Sequence, residues 1–179
     1  PMEDAIEVMK EAFKELSAGR VTMPARAHID IPACAGTALF MPSYAEHFGN
    51  ICVKVVNVFN ANPKNGLPCI QGVVCLLDGE TGSPLAILNG TFLTALRTGA
   101  ASGAATDLLA RSDADTVAII GAGVQGRMQL EAVCAVRSIK KAWVYDIVEE
   151  VAAQFASDMG AALAIETVVA GSSRDALQC

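Results

Sequence analysis

The run Thr116-Val117-Ala118-Ile119-Ile120, followed at once by Gly121-Ala122-Gly123-Val124-Gln125-Gly126, constrains this chain more than any other stretch. It reads as a buried strand feeding a glycine turn that opens a helix. Gly121, Gly123 and Gly126 satisfy the pattern G-x-G-x-x-G, and Asp146, at the end of the next apolar strand, stands 20 residues beyond Gly126. Each part has a physical task in holding a dinucleotide. Gly121 permits the sharp turn out of the strand. Gly123 lets a pyrophosphate approach the backbone without meeting a Cβ, and Gly126 lets the helix lie close to the sheet. Val124 and Gln125 begin the helix, where free N–H groups and the helix dipole favour phosphate. A plain glycine-rich strand-to-helix turn is the alternative.

Asp146 also bears on which dinucleotide would bind. A carboxylate there accepts hydrogen bonds from both ribose hydroxyls of NAD and repels the 2′-phosphate of NADP. The segment Asp146-Ile147-Val148-Glu149-Glu150 offers no cation to shield that phosphate. The expected cofactor is therefore NAD, with NADP disfavoured.

Composition narrows the rest. With 53% apolar and 18% charged residues, the chain has the material for a substantial core, against disorder. Its net charge of −6 and lack of a Lys/Arg cluster make nucleic acid a poor partner. The six cysteines, at 34, 52, 69, 75, 134 and 179, form no C-x-x-C and no His/Cys metal spacing. They suit a reducing compartment, and no metal site is expected. No apolar run reaches the roughly 18 residues of a membrane helix. The expectation is a cytoplasmic protein with no membrane partner.

The organisation is two-part. Ile6, Met9, Phe13 and Leu16 recur at helical spacing ahead of Gly19, predicting a helix over 3–18. Short apolar strands then follow one another at Val21–Arg26, Ala38–Met41, Ile51–Val58, Cys69–Leu77 and Leu85–Leu88. Asn62-Pro63-Lys64-Asn65-Gly66 and Asp78-Gly79-Glu80-Thr81-Gly82 mark turns between them. Strands without intervening helices predict a mixed or antiparallel sheet. A helix over Thr91–Arg111 carries Gly99 and Gly103, which cost about 1 kcal/mol each relative to alanine. Close packing or a facing ligand would account for them. Beyond the joint at Ser112-Asp113-Ala114-Asp115 the order is strand 116–120, helix 124–137, strand 142–145, helix 148–159 capped by Gly160, and a strand near 164–169. The fold class is thus α/β: an α+β substrate and dimerisation domain over 1–112, then a truncated Rossmann-type, doubly wound parallel domain over 113–179. Such domains carry six strands and only three are in view. Together with the opening at Pro1, this leads us to expect a fragment of a longer subunit.

The block Leu93-Thr94-Ala95-Leu96-Arg97-Thr98-Gly99-Ala100-Ala101-Ser102, with the glycine turn a short interval later, resembles the ornithine cyclodeaminase/mu-crystallin family. So do Pro24-Ala25-Arg26, Val53-Lys54-Val55-Val56-Asn57 leading to Asn62-Pro63, Gly66-Leu67-Pro68, and the hairpin from Asp78 to Leu85. The resemblance covers essentially the whole chain in one order. It implies a homodimeric, NAD(P)-binding subunit that works at an amino- or imino-acid Cα beside a carboxylate. Ornithine cyclodeaminase, converting L-ornithine to L-proline and ammonia, is the activity expected first. An alanine-type dehydrogenase, a ketimine or pyrroline-carboxylate reductase, and a non-catalytic crystallin-like binder are the alternatives.

The resemblance also assigns residues. Arg97 is implied to contact the substrate carboxylate and the cofactor phosphates; as a lone cation on a small-residue helix it suits a two-pronged grip. A surface arginine in an ion pair is the other reading. Lys54 interrupts an otherwise apolar strand, and a buried ammonium calls for an anionic ligand, unless simple alternation turns it to solvent. Arg26 matches the family's first carboxylate-binding arginine. Cys69 stands where relatives carry Ser or Thr touching the cofactor; a packed strand cysteine is equally open. Lys64 is expected in solvent, and His28 and His47 are read as structural. The family's catalytic aspartate is expected beyond Cys179. Asp107, Asp113 and Asp115 are read as solvated or capping, so no catalytic residue is assigned within this chain.

Overall fold

A computed structural model describes residues 1–178 of the chain. They form two compact units, one of Glu11–Thr94 and one of Pro1–Lys10 with the chain from Ala95 onward. The boundaries fall inside the helices α1 (Met2–Ser17) and α2 (Gly90–Leu109). No helix among the described residues is long and apolar enough to cross a membrane.

The first unit is a six-stranded sheet: β1 (Val21–Thr22), β2 (Ala27–Ile31), β3 (Gly36–Ala45), β4 (Asn50–Phe59), β5 (Ile70–Asp78) and β6 (Pro84–Asn89). Every pairing is antiparallel, in the order β1-β3-β4-β5-β6, with β2 also against β3. The expected strand Val21–Arg26 stops at Thr22, ahead of Pro24, which has no N–H for a ladder. A strand absent from the sequence reading, β2, starts at Ala27 instead. The two turn signals hold. Asn62–Asn65 forms a 3-10 turn closed by Gly66 at φ +71°, and the Asp78 carboxylate accepts the N–H and the hydroxyl of Thr81, each at 2.7 Å.

Register sorts the sheet into two faces, because side chains alternate and directly paired residues point the same way. Ile29, Phe40, Val55, Val73 and Ile87 share one face. His28, Leu39, Met41, Lys54, Val56 and Val74 share the other, where Val56 and Val74 are buried.

The second unit contains a parallel sheet, β7 (Thr116–Ile120), β8 (Lys141–Tyr145) and β9 (Glu166–Val169), in that spatial order. Helices α3 (Val124–Val136), α4 (Glu149–Leu163) and the short α5 (Ser173–Leu177) alternate with the strands. Ile119, Leu130, Ala142, Val144, Phe155 and Met159 make the core. A second cluster joins Met2 and Ile6 of α1 with Ala100 and Ala104 of α2 and Ala132 of α3. It explains the two costly glycines as packing sites. A Cβ on Gly99 would strike the Met128 backbone of α3, and one on Gly103 would strike Ile6 and Ala132.

One expected boundary is corrected. Gly160 does not cap α4 but lies inside it, where a Cβ would crowd the Ile165 carbonyl and the Thr167 hydroxyl at 3.3 Å. The helix runs on to Leu163 and ends on Ala164 in the left-handed region, φ +54°.

Candidate functional site

The site is built where β7 ends. Ile120 is the last strand residue, and Gly121 turns the chain at φ +100°, a conformation L side chains rarely adopt. Its N–H donates to the Tyr145 carbonyl at the end of β8, 2.8 Å away. The next N–H, that of buried Ala122, donates to Oδ2 of Asp146 at 2.8 Å. Gly123 then caps α3 in an extended conformation with no side-chain hydrogen bond at the cap.

The three glycines are glycine for three different reasons. Gly121 supplies the turn. A Cβ on buried Gly126 would collide with the Gly121 carbonyl and press on Ile119 at 3.2 Å, so its absence lets α3 sit against the strand end. A Cβ on Gly123 would meet nothing within 4 Å. The packing of the chain itself does not require a glycine there, and the bare backbone stands open to a docking group. Val124 and Gln125 are exposed beside it, at the start of α3, and the first-turn N–H groups there have no side-chain cap, which leaves them available to an anion.

Asp146, one residue past β8, borders a cavity of about 420 Å³ lined by Tyr145, Asp146, Ile147, Glu149, Val169, Ala170 and Gly171. This is the carboxyl end of the parallel strands, where open α/β sheets bind ligands. Its second oxygen, Oδ1, accepts the Val148 N–H at 3.0 Å. The N–H groups of Val148 and Ala122 hold its carboxyl below the ordinary aspartate range. Each oxygen retains lone-pair capacity for a further donor. Ile147, 90% exposed, gives the cavity an apolar wall next to an acidic rim. Sequence reasoning gives it no role, although an isoleucine standing between Asp146 and Glu149-Glu150 is a usable signal.

The remaining predicted residues divide between the units. Arg97 lies on α2, exposed, two residues past buried Ala95. Lys54 is half-buried at the middle of β4, opposite Met41 of β3 and Val74 of β5. It therefore shares the face of Val56 and Val74, rather than facing away from buried side chains. Arg26 is exposed and immediately precedes β2, whose first residue, Ala27, pairs with Phe40 next to Met41. Sheet register thus places Lys54 opposite Met41 and leaves Arg26 outside the ladder, one residue before the Ala27–Phe40 pair.

Cys69, expected to open the strand Cys69–Leu77, sits instead in the bend just before β5, half-buried. Its thiol donates to Asn60 Oδ1 at 3.5 Å and its carbonyl accepts the Phe59 N–H at 2.9 Å. Five residues of β4, roughly 17 Å, separate that contact from Lys54. The acids read as solvated or capping make ion pairs instead: Asp107 with Lys10 and Arg137, Asp113 with Arg111, and Asp115 with Lys140.

Comparison with known proteins extends this picture. The profile of the Ornithine cyclodeaminase/mu-crystallin family matches residues 1–179. The chain is 46% identical over 154 residues to a Delta(1)-pyrroline-2-carboxylate reductase of Bacillus cereus, covering 86% of this chain and 47% of that protein. It superposes on the Thermococcus litoralis Delta(1)-pyrroline-2-carboxylate reductase, solved in complex with NADH and L-proline, with a TM-score of 0.93 and 48% identity. The match covers 98% of this chain and 55% of that one. An archaeal alanine dehydrogenase dimer with bound NAD follows at a TM-score of 0.88 and 34% identity, over 95% of this chain and 52% of that one. The chain spans about half the length of the curated relatives it matches.

Proposed function

Because the chain belongs to the ornithine cyclodeaminase/mu-crystallin family, we propose that the protein is an NAD-dependent enzyme that reduces a cyclic imino acid of the pyrroline-2-carboxylate class to the amino acid. The observation that carries this choice is identity: 46% and 48% to two such reductases, against 34% to an alanine dehydrogenase. The glycine turn, the Cβ-sized space at Gly123 and the carboxylate of Asp146 fit NAD, and its adenosine half suits the cavity beside Asp146. We assign residues 113–179 to the cofactor and 1–112 to the substrate and a second copy of the chain. Ornithine cyclodeamination, the activity expected first from sequence, becomes the second reading. It is supported by the family profile and by the same assigned residues.

NADH, when bound, supplies a hydride to the carbon of the C=N bond, and a proton completes the nitrogen. The chain's own contribution is orientation and charge placement. Arg97 and Arg26 are assigned to the substrate carboxylate, which a guanidinium can grip with two parallel hydrogen bonds. Lys54 adds a point charge from beside buried Val56 and Val74, where reduced solvent screening strengthens its pull on an anion. Arg97 is also assigned to the cofactor phosphates. Cys69 is kept only as a candidate contact through its thiol. Five described cysteines are unpaired, which supports a reducing, cytoplasmic setting.

The deciding experiment uses full-length protein with NADH and pyrroline-2-carboxylate, following NADH absorbance and proline together. Equal amounts of NADH lost and proline formed are expected. Proline and ammonia from L-ornithine without net NADH change would replace the reductase with the cyclodeaminase. NADH formation from L-alanine would replace it with the dehydrogenase. Nucleotide binding without turnover of any of these substrates would leave a binder.

A further inference from the structure

Asp146 is expected to touch the ribose, but its hydrogen bonds describe a second task. Oδ2 accepts the N–H of Ala122, the middle residue of the glycine turn, at 2.8 Å across 24 residues of sequence. Oδ1 accepts Val148 N–H at 3.0 Å, which orients the carboxylate from its own side. Together with the Gly121 N–H bond to the Tyr145 carbonyl, two consecutive turn amides are tied to the end of β8. The residues that would meet phosphate, Gly123 to Gln125, follow immediately and have no side-chain cap of their own.

We propose that Asp146 is a positioning residue for the pyrophosphate-binding turn as well as a ribose acceptor, so that cofactor selectivity and turn geometry rest on one carboxylate. The inference depends on the nucleotide reading of this site. Its chemical content is that both oxygens must be acceptors. An ionised aspartate offers two; an asparagine offers one oxygen and one NH2 group. Whichever way the side-chain amide of an Asp146→Asn variant is turned, its NH2 confronts the N–H of either Ala122 or Val148, donor against donor. Asp146→Asn is therefore not a conservative change here. Replacing Asp146 with a small neutral residue, the obvious way to admit the 2′-phosphate of NADPH, removes the turn's anchor together with the repulsion. Such variants lose affinity for both cofactors instead of exchanging one for the other.

The test compares wild type and Asp146→Asn in the full-length protein by two readouts. The first is amide hydrogen exchange without nucleotide. The Ala122 amide should exchange at least about tenfold faster in the variant, as expected for a lost hydrogen bond to a charged acceptor. Leu130, deeper in α3, should keep its protection. Unchanged exchange at Ala122 overturns the proposal. The second readout is binding of NADH and of an NADH analogue whose adenosine ribose lacks both hydroxyls. The analogue cannot use Asp146 directly, so a loss of about tenfold for it in the variant is the signature of the turn. An analogue that binds wild type and variant equally, while NADH weakens, shows that the carboxylate acts on the ribose alone and overturns the proposal. Should Asp146→Asn fail to fold, Asp146→Ser, with a single acceptor, is read in the same way. Absence of nucleotide binding by the wild type would refute the proposed function, and the Ala122 exchange rate would still decide the anchor.

Discussion

The hydrogen bonds that Asp146 accepts keep its carboxyl ionised to lower pH than an ordinary aspartate, and this makes its pH response predictable. The N–H groups of Val148 and Ala122 stabilise the charged form, so the folded carboxyl titrates below its unfolded value of about 3.9. A group depressed in this way contributes fully above the unfolded value and is lost as pH falls through the folded one. NADH affinity, followed by fluorescence titration, should therefore be insensitive to Asp146 from neutral pH down to about 4 and drop only below that. A drop well above the carboxylate range would assign the dependence to another group. A second residue carries strain rather than charge. Ala164 ends α4 at φ +54°, a left-handed conformation that glycine adopts without a Cβ penalty. Ala164→Gly should stabilise the fold by about 0.5–1 kcal/mol, read as a higher thermal midpoint. The sequence shows a glycine four residues earlier, at Gly160, and that residue draws the expected helix end towards itself. Nothing in an alanine announces a left-handed cap.

Helices α1, α2 and α3 meet through small residues, and two glycines make contrasting predictions. Gly99 approaches the Met128 backbone, which can yield only if α3 moves. Gly103 approaches the tip of the Ile6 side chain, which can rotate, and Ala132 Cβ at 3.1 Å. Gly99→Ala should cost about 1–3 kcal/mol from overpacking. For Gly103→Ala a helix-propensity gain of about 1 kcal/mol offsets most of the crowding. Chemical denaturation of the two variants tests the order; equal losses would mean that the backbone of α3 yields as readily as the Ile6 side chain. At its far end α2 is held by Arg137, whose guanidinium donates to the carbonyls of Thr106, Asp107, Ala110 and Arg111. Periodicity reveals helices α1, α3 and α4 and the strands β7 and β8, because each buries a stripe or run of its own sequence. It misses the short α5 and β2. Ala27, Ile29 and Ile31 do alternate with His28 and Asp30, yet the strand is mostly exposed and owes its existence to pairing with β3. Arg137 is missed for a related reason: an arginine that caps another helix leaves no mark in its own.

At the scale of the whole molecule, legibility follows sequence distance. The glycine turn and Asp146 lie in one strand-helix-strand unit, so their spacing alone locates the candidate nucleotide site. The neighbourhood of Arg26 and Lys54 depends on the register of β2, β3 and β4, which no local pattern encodes. The bond from Ala122 to Asp146 likewise emerges only once β7 and β8 are side by side. Register also exposes an apolar sheet face, on which Ile29, Val73 and Ile87 are 56%, 40% and 77% exposed. Its apolar side chains are the reason for seating the proposed second copy there, since such patches mark association surfaces. Ile87 on edge strand β6 and His28 on the opposite face then separate two outcomes. Burying a glutamate at Ile87 without a partner costs roughly 2–4 kcal/mol, weakening a dimer at least about thirtyfold. His28→Glu should leave association unchanged, because its side chain is 61% exposed and points the other way. Sedimentation velocity of the full-length protein and both variants decides the matter. A dimer that survives Ile87→Glu but dissociates with His28→Glu would move the interface to the face that carries Lys54, and with it the substrate assignment of that lysine.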